Sequence, residues 1–224
     1  MNRKLKILRF ILKIFIINII LTNKLASDNL HEDLLNKIDQ SFPAEIFFIQ
    51  TDSNKVDSGG WMIVGKNGLA RIEFEPPSQI VMVADGNWLV VHDAQYDRTS
   101  YLPLDKGILG ALLNPKEFNS LNKLEVSKIE NDFTTGYSVV SENFSGSELR
   151  IYFKNSDNIL SNWEILENGK ISIRVKILKI KKLENIKGLD KNIFKFLDSM
   201  RADKKAFLGP YERNFKKLPT SNSN

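Results

Sequence analysis

Few side chains in this chain of 224 residues are suited to covalent chemistry. There are two histidines, His31 and His92, and no cysteine. Zinc centres draw three or four ligands from histidine, cysteine and carboxylates, and two histidines this far apart in sequence do not supply one. His92-Asp93 has the form of a base held by a carboxylate, which a serine elsewhere would need for acyl transfer. No Gly-x-Ser-x-Gly elbow accompanies it, and no glycine-rich loop cradles a phosphate. The pair reads more simply as the end of a strand. Trp61, Trp88 and Trp163 read as packing or as the wall of a cavity. Residue types therefore point away from an enzyme and away from any cofactor.

Charge is segregated. Residues 28 to 60 carry Asp28, Glu32, Asp33, Asp39, Glu45, Asp52 and Asp57 against Lys37 and Lys55. Residues 170 to 187 carry Lys170, Arg174, Lys176, Lys179, Lys181, Lys182 and Lys187 against Glu184. A basic stretch of this kind suits an acidic partner or anionic headgroups; the simpler reading is a solvated strand face. Aromatics do not interleave with these lysines as a single-strand nucleic-acid groove requires, so no nucleic-acid partner is expected.

The first 27 residues explain the net charge of +5. Met1-Asn2-Arg3-Lys4-Leu5-Lys6 leads into an apolar run from Ile7 to Leu21, and Ala26-Ser27 follows. This is the pattern of a secretory signal peptide, with an uncleaved anchor as the alternative. The run is short for a bilayer span, which takes about 20 residues. Without residues 1 to 26 the chain holds 26 basic against 27 acidic residues, so the basicity belongs to the export signal. Residues 28–218 are expected to form one domain and the polar tail 219–224 to be disordered. An exported chain without cysteine has no disulfides and no lipid-modified cysteine, so it must hold itself together by packing and sheet pairing. A periplasmic location is expected.

Hydrophobic periodicity sets the elements. Leu30, Leu34, Leu35 and Ile38 recur at helical spacing behind Asn29, which predicts a helix over 29–41 ended by Pro43. From Ala44 the period becomes two, giving strands over 44–51, 56–65, 69–75, 79–84, 88–93 and 98–102. Asn67-Gly68, Asp85-Gly86 and Asn168-Gly169 are tight-turn pairs, so consecutive strands should run antiparallel. Ile108, Leu109, Leu112 and Leu113 predict a short helix over 105–114, weakened by Gly107 and Gly110 and stopped by Pro115. Strands resume over 124–130, 136–142, 148–154, 160–167 and 170–183, and residues 193–196 suggest a closing strand. About eleven strands in this order form a mainly β (α+β) domain that curls into a barrel or around something. Several strands are apolar on both faces. Such strands enclose either a filled core, the commoner outcome, or a cavity.

The order of certain segments is more specific. Leu34-Leu35-Asn36-Lys37-Ile38-Asp39 precedes Phe48-Ile49-Gln50, then Gly60-Trp61-Met62-Ile63-Val64. Leu69-Ala70-Arg71-Ile72-Glu73-Phe74 leads to Pro76-Pro77, and the stretch from Ile80 to Asp93 closes the series around Asp85-Gly86. Over residues 34 to 93 this resembles the outer-membrane lipoprotein carrier family, LolA; beyond residue 115 the similarity is mainly topological.

That resemblance implies an unclosed antiparallel β-barrel whose open side is covered by helices. It also implies a monomeric carrier of acylated lipoproteins, loaded by an inner-membrane lipoprotein-releasing ABC transporter and unloaded to an outer-membrane acceptor. A regulator that senses lipids or mislocalised lipoproteins with the same fold is the alternative. On the carrier reading the acyl-lining candidates are Leu34, Ile38, Phe48, Trp61, Ile63, Ile72, Phe74, Val81, Val83, Leu89, Val91, Leu109, Leu112 and Leu113. The set depends on strand register, because a slip of one residue exchanges the two faces. Where the family has an arginine that latches the lid, this chain has Lys66, which keeps the charge without the planar fork. Arg71 is a substitute latch or an exposed strand-face charge.

Overall fold

The computed structural model describes residues 29–122, 124–183 and 191–196. The expected signal peptide and polar tail lie outside them. Helix α1 covers 29–41 and presents Leu30, Leu34 and Ile38 to the sheet. Its end is fastened by Ser41, whose hydroxyl donates to the Lys37 carbonyl at 2.9 Å and accepts from the Leu160 amide at 3.0 Å.

Eleven strands follow: β1 (Ala44–Asp52), β2 (Asp57–Val64), β3 (Leu69–Phe74), β4 (Ile80–Asp85), β5 (Trp88–Asp93), β6 (Arg98–Pro103), β7 (Glu125–Glu130), β8 (Thr134–Val140), β9 (Ser147–Lys154), β10 (Leu160–Glu167) and β11 (Lys170–Lys182). Two short helices, α2 (Gly110–Leu113) and α3 (Pro115–Asn122), lie between β6 and β7. The strands form one sheet in the order β6-β5-β4-β3-β2-β1-β11-β10-β9-β8-β7, antiparallel throughout. Among the described residues the sheet is unclosed: β6 and β7 are its free edges, and α2 and α3 are carried on the connection between them. Turn chemistry holds this meander in register. Asn67 and Gly68 have φ of 56° and 77°, and Asn168 and Gly169 have 52° and 75°, the paired left-handed geometry of a two-residue hairpin.

Three expectations need correction. The helix expected over 105–114 is confined to α2, Gly110–Leu113; it ends before Pro115 as expected, and Pro115 then opens α3, because the amide hydrogen that proline lacks has no partner at a helix's first position. Residues 193–196 add no strand; Lys191–Phe194 is a 3-10 helix. Ile193 and Phe194 are adjacent and both buried in one cluster, whereas a strand would send them to opposite faces. Strand β8 ends at Val140 because Ser141 caps a 3-10 turn, its hydroxyl accepting from the Asn143 amide at 3.2 Å.

Gly110 has a packing role beyond weakening α2. A Cβ there would lie 2.1 Å from the Leu104 carbonyl oxygen and 2.5 Å from the Phe118 ring. At Gly107 it would meet only the Pro103 carbonyl, at 3.7 Å. Gly110→Ala should therefore destabilise the fold by about 1–3 kcal/mol or more, while Gly107→Ala is tolerated. Thermal melts of the two variants, if they coincide, refute this.

Candidate functional site

The two faces of the sheet are built differently. The inner face carries a continuous apolar cluster that takes in α1, α2, α3 and side chains from both halves of the sheet. Its centre is set by Gly60, which lies opposite Phe48 on β1 and Phe74 on β3. The Phe48 ring occupies the space a Cβ at residue 60 would need and meets Phe74 edge-on at 5.5 Å. In the other half, Tyr137, Ile151, Phe153, Trp163 and Val175 continue the same face.

Ten of the fourteen lining candidates come together here: Leu34, Ile38, Phe48, Ile72, Phe74, Leu89, Leu112 and Leu113 as buried members, with Val91 and Leu109 packed against them. Four do not. Trp61 and Ile63 belong to a separate cluster on the outer face, with Phe47, Ile193 and Phe194. Val81 lies opposite Glu73 and His92, and Val83 opposite Arg71 and Val90, again on the outer face. Their inner counterparts are Met62, Val64, Met82 and Ala84. Register is the cause, since β2 and β4 are buried on both sides and alternation alone does not say which side is inner. The opposition of Gly60 to Phe48 is the signal that could have found them.

The inner face is filled by the chain's own helices: Leu34 and Ile38 from α1, Leu112 and Leu113 from α2, and Phe118 from α3 are all buried in the cluster. Polar ties also hold this cover. Tyr137 donates its hydroxyl to the Asp33 carboxylate of α1, and Lys37 donates to the Asn158 side chain. Asp39 meets Lys116 at 3.0 Å and Lys66 at 3.9 Å, with all three side chains about half exposed or more. Exposed pairs of this kind contribute about 0–1 kcal/mol each. The Gly68 amide donates to the Leu113 carbonyl at 3.1 Å, pinning the end of α2.

Tyr137 is the strongest tie. Burial, then the hydrogen bond to Asp33, pushes its hydroxyl well above the ordinary phenol range. A neutral donor to a carboxylate contributes about 1.5–3 kcal/mol, so Tyr137→Phe should cost that much in a urea titration. Because the folded value is raised, the contribution is complete below the ordinary phenol pKa of about 10 and is lost as pH climbs from there towards the folded value. A wild-type protein whose alkaline loss of stability matches that of Tyr137→Phe contradicts this.

Arg71 is neither a lid latch nor an exposed charge. It is fully buried on the outer face, where Nε donates to Glu73 Oε1 at 2.6 Å and Nη1 to the Ile193 carbonyl at 3.2 Å. Glu73 also accepts from the Trp61 indole at 3.2 Å. This network straps the C-terminal 3-10 helix to the outer side, away from the lid. His92 is buried beside it, with Nδ1 3.0 Å from the Thr99 hydroxyl and its ring 5.2 Å from that of Phe196.

The outer face of the other half is polar. Arg174 donates to Glu164 at 2.7 Å, and Arg150 to Glu148 at 2.6 Å; the Arg150 hydrogen bond is the main cause holding the Glu148 carboxyl below its usual range. Of the basic stretch, Arg174, Lys176, Lys179 and Lys181 fall on this face of β11, while Lys187 lies outside the described residues.

Two clefts flank the lid. One of about 170 Å³ follows the seam between α1 and α2, bounded by Ile38, Asp39, Lys66 and Leu113. The other, of about 330 Å³, lies between the end of β6 and α2 and α3. Among the described residues no group of His, Cys, Asp and Glu is arranged to hold a metal ion, and no helix is long and apolar enough to cross a membrane.

The sequence profile of the family described as outer membrane lipoprotein carrier protein LolA matches residues 41–197. This chain belongs to the LolA family. Its unclosed eleven-stranded sheet with helices over one face is that family's fold. None of the curated proteins matches the chain in sequence at a significant level. Solved structures similar to this LolA-family chain are distant from it. An uncharacterized conserved protein from Thermus thermophilus is 11% identical over 75% of this chain and 94% of that one, with a TM-score of 0.47. A LolA superfamily protein from Nitrosomonas europaea is 10% identical over 75% and 98%, with 0.39. The Pseudomonas aeruginosa MucA/MucB complex supplies a match at 11% over 67% and 56%, with 0.43.

Proposed function

We propose that this protein is a periplasmic carrier that binds the acyl chains of lipoproteins on the inner face of its sheet and moves them from the inner to the outer membrane. An inner-membrane lipoprotein-releasing transporter is the donor and an outer-membrane receptor the acceptor. The observation that carries this reading is an apolar face continuous across the unclosed sheet and covered by three helices, with exposed Asp39 pairs at the seam between α1 and α3.

Magnitudes favour a carrier over a permanent store. A sixteen-carbon chain leaving water gains roughly 12 kcal/mol at ~0.8 kcal/mol per methylene. Taking it up on this face requires Leu34, Ile38, Leu112 and Leu113 to move aside. Exposing four such side chains costs roughly 6–12 kcal/mol at ~1.5–3 kcal/mol each. The second term offsets half or more of the first, so cargo is held less tightly than burial alone would hold it and can pass to an acceptor that binds it better. Lys66, Lys116 and Asp39 form the latch of this cover, one that opens at little cost.

The test is transfer. The mature protein is incubated with inner-membrane vesicles bearing labelled lipoprotein and the donor transporter, and soluble label is measured after the vesicles are pelleted. Label recovered in a complex with this chain supports the carrier. No soluble label, together with tight binding to a signalling protein, favours a regulator that uses the same fold to sense lipids.

A further inference from the structure

The two free edges of the sheet are guarded unequally. Edge strands usually carry charge that discourages pairing with another chain, and β7 does so with Glu125, Lys128 and Glu130; Lys128 Nζ sits 2.7 Å from Glu130 Oε1. Strand β6 runs Thr99-Ser100-Tyr101-Leu102 between Arg98 and Pro103, with no charge in that interior. Tyr101 is 54% exposed and Leu102 49%. Of eight exposed large hydrophobic side chains among the described residues, four (Trp88, Tyr96, Tyr101 and Leu102) belong to the β5–β6 hairpin, which makes this edge an interaction surface. Tyr101 shares the outer face with Val90, and Leu102 the inner face with Leu89. A strand added to β6 therefore meets an apolar side chain on each of its sides.

The edge also leads somewhere. β6 ends at the 330 Å³ cleft, whose walls include Trp88, Pro103, Lys106, Gly110 and Glu117. Gly110 is at once part of that wall and the first residue of α2, the helix that covers the inner face. A polypeptide emerging beside α2 would pass through this cleft and arrive at β6.

We propose that β6 binds the polypeptide part of the acylated cargo, in extended form, by strand addition. This rests on the carrier reading above. Main-chain hydrogen bonds supply affinity without demanding a particular sequence, which suits cargo proteins that share an acyl anchor and little else. A second copy of this chain is the wrong occupant. Six residues span about 20 Å, and two such edges paired together bury far less than the roughly 800 Å² per partner of a stable interface.

The experiment uses the mature chain with two ligands: a synthetic triacylated peptide of about ten residues, and the same triacyl group without the peptide. Photo-crosslinking p-benzoylphenylalanine is placed at position 100 on β6 or, as a control, at position 127 on β7. The expected result is peptide crosslinked from position 100 and not from 127, with the acylated peptide bound about tenfold more tightly than the bare lipid. Tyr101→Lys, which guards the edge, should remove that tenfold difference while binding of the bare lipid shows that the variant is folded. Equal affinity for both ligands with no crosslink at position 100 overturns the β6 proposal and leaves the carrier reading standing. Binding of neither ligand overturns both. A concentration-dependent dimer that blocks crosslinking at position 100 also overturns it.

Discussion

Glu73→Ala should lower the stability of the folded chain by about 3–5 kcal/mol. Glu73 is 2% exposed, and its carboxylate holds both the Arg71 guanidinium and the Trp61 indole. Removing one member of a buried ion pair leaves the other charge without its counterpart in a poorly solvated place, and that, more than the lost attraction, sets the size of the effect. The double variant Arg71→Met/Glu73→Leu removes both charges and fills their volume, so it should recover most of the loss. Urea midpoints of the single and double variants measure the difference. A single variant within about 1 kcal/mol of wild type would show that the network does not strap the C-terminal helix.

Leu34→Ala is expected to weaken the fold and strengthen acyl binding together. Truncating a buried leucine costs about 2–5 kcal/mol, and Leu34 is 1% exposed beneath α1. If cargo displaces α1, that packing is absent from the loaded state, so its loss falls only on the empty one. Affinity for a fluorescent long-chain fatty acyl probe should rise on the order of tenfold or more, since each 1.4 kcal/mol is about a factor of ten. Ile63→Ala is the control. It removes comparable bulk from the outer cluster and should lower stability without tightening binding. Unchanged or weaker binding by Leu34→Ala would mean that the lid and the cargo do not compete for one face.

Much of the architecture was legible because the signals were local. Paired turn residues such as Asn67-Gly68 and Asn168-Gly169 marked hairpins, and the limits of β5 and β10 were as the alternation placed them. What escaped the sequence was long-range. Arg71 and Glu73 alternate with Ala70, Ile72 and Phe74 as if on a solvent face, yet a segment more than a hundred residues later covers them. The same cover packs on Trp61 and Ile63 and lies against β4, where Val81 and Val83 are buried, which erased the polar side of β2 and β4 and hid which face is the inner one. Proline at position 115 was ambiguous for a different reason: the ring that ends one helix is also suited to begin another.

The middle of the sheet joins the earliest strand to the latest, β1 against β11. Neighbouring hairpins on either side can zip up as soon as they are made, but this seam must wait for nearly the whole polypeptide to be available. Closing so long a loop before any reward is collected slows folding. A chain that has not yet been extended as far as β11 therefore exposes greasy, unmated strands, and its safe maturation depends on how quickly that last strand arrives.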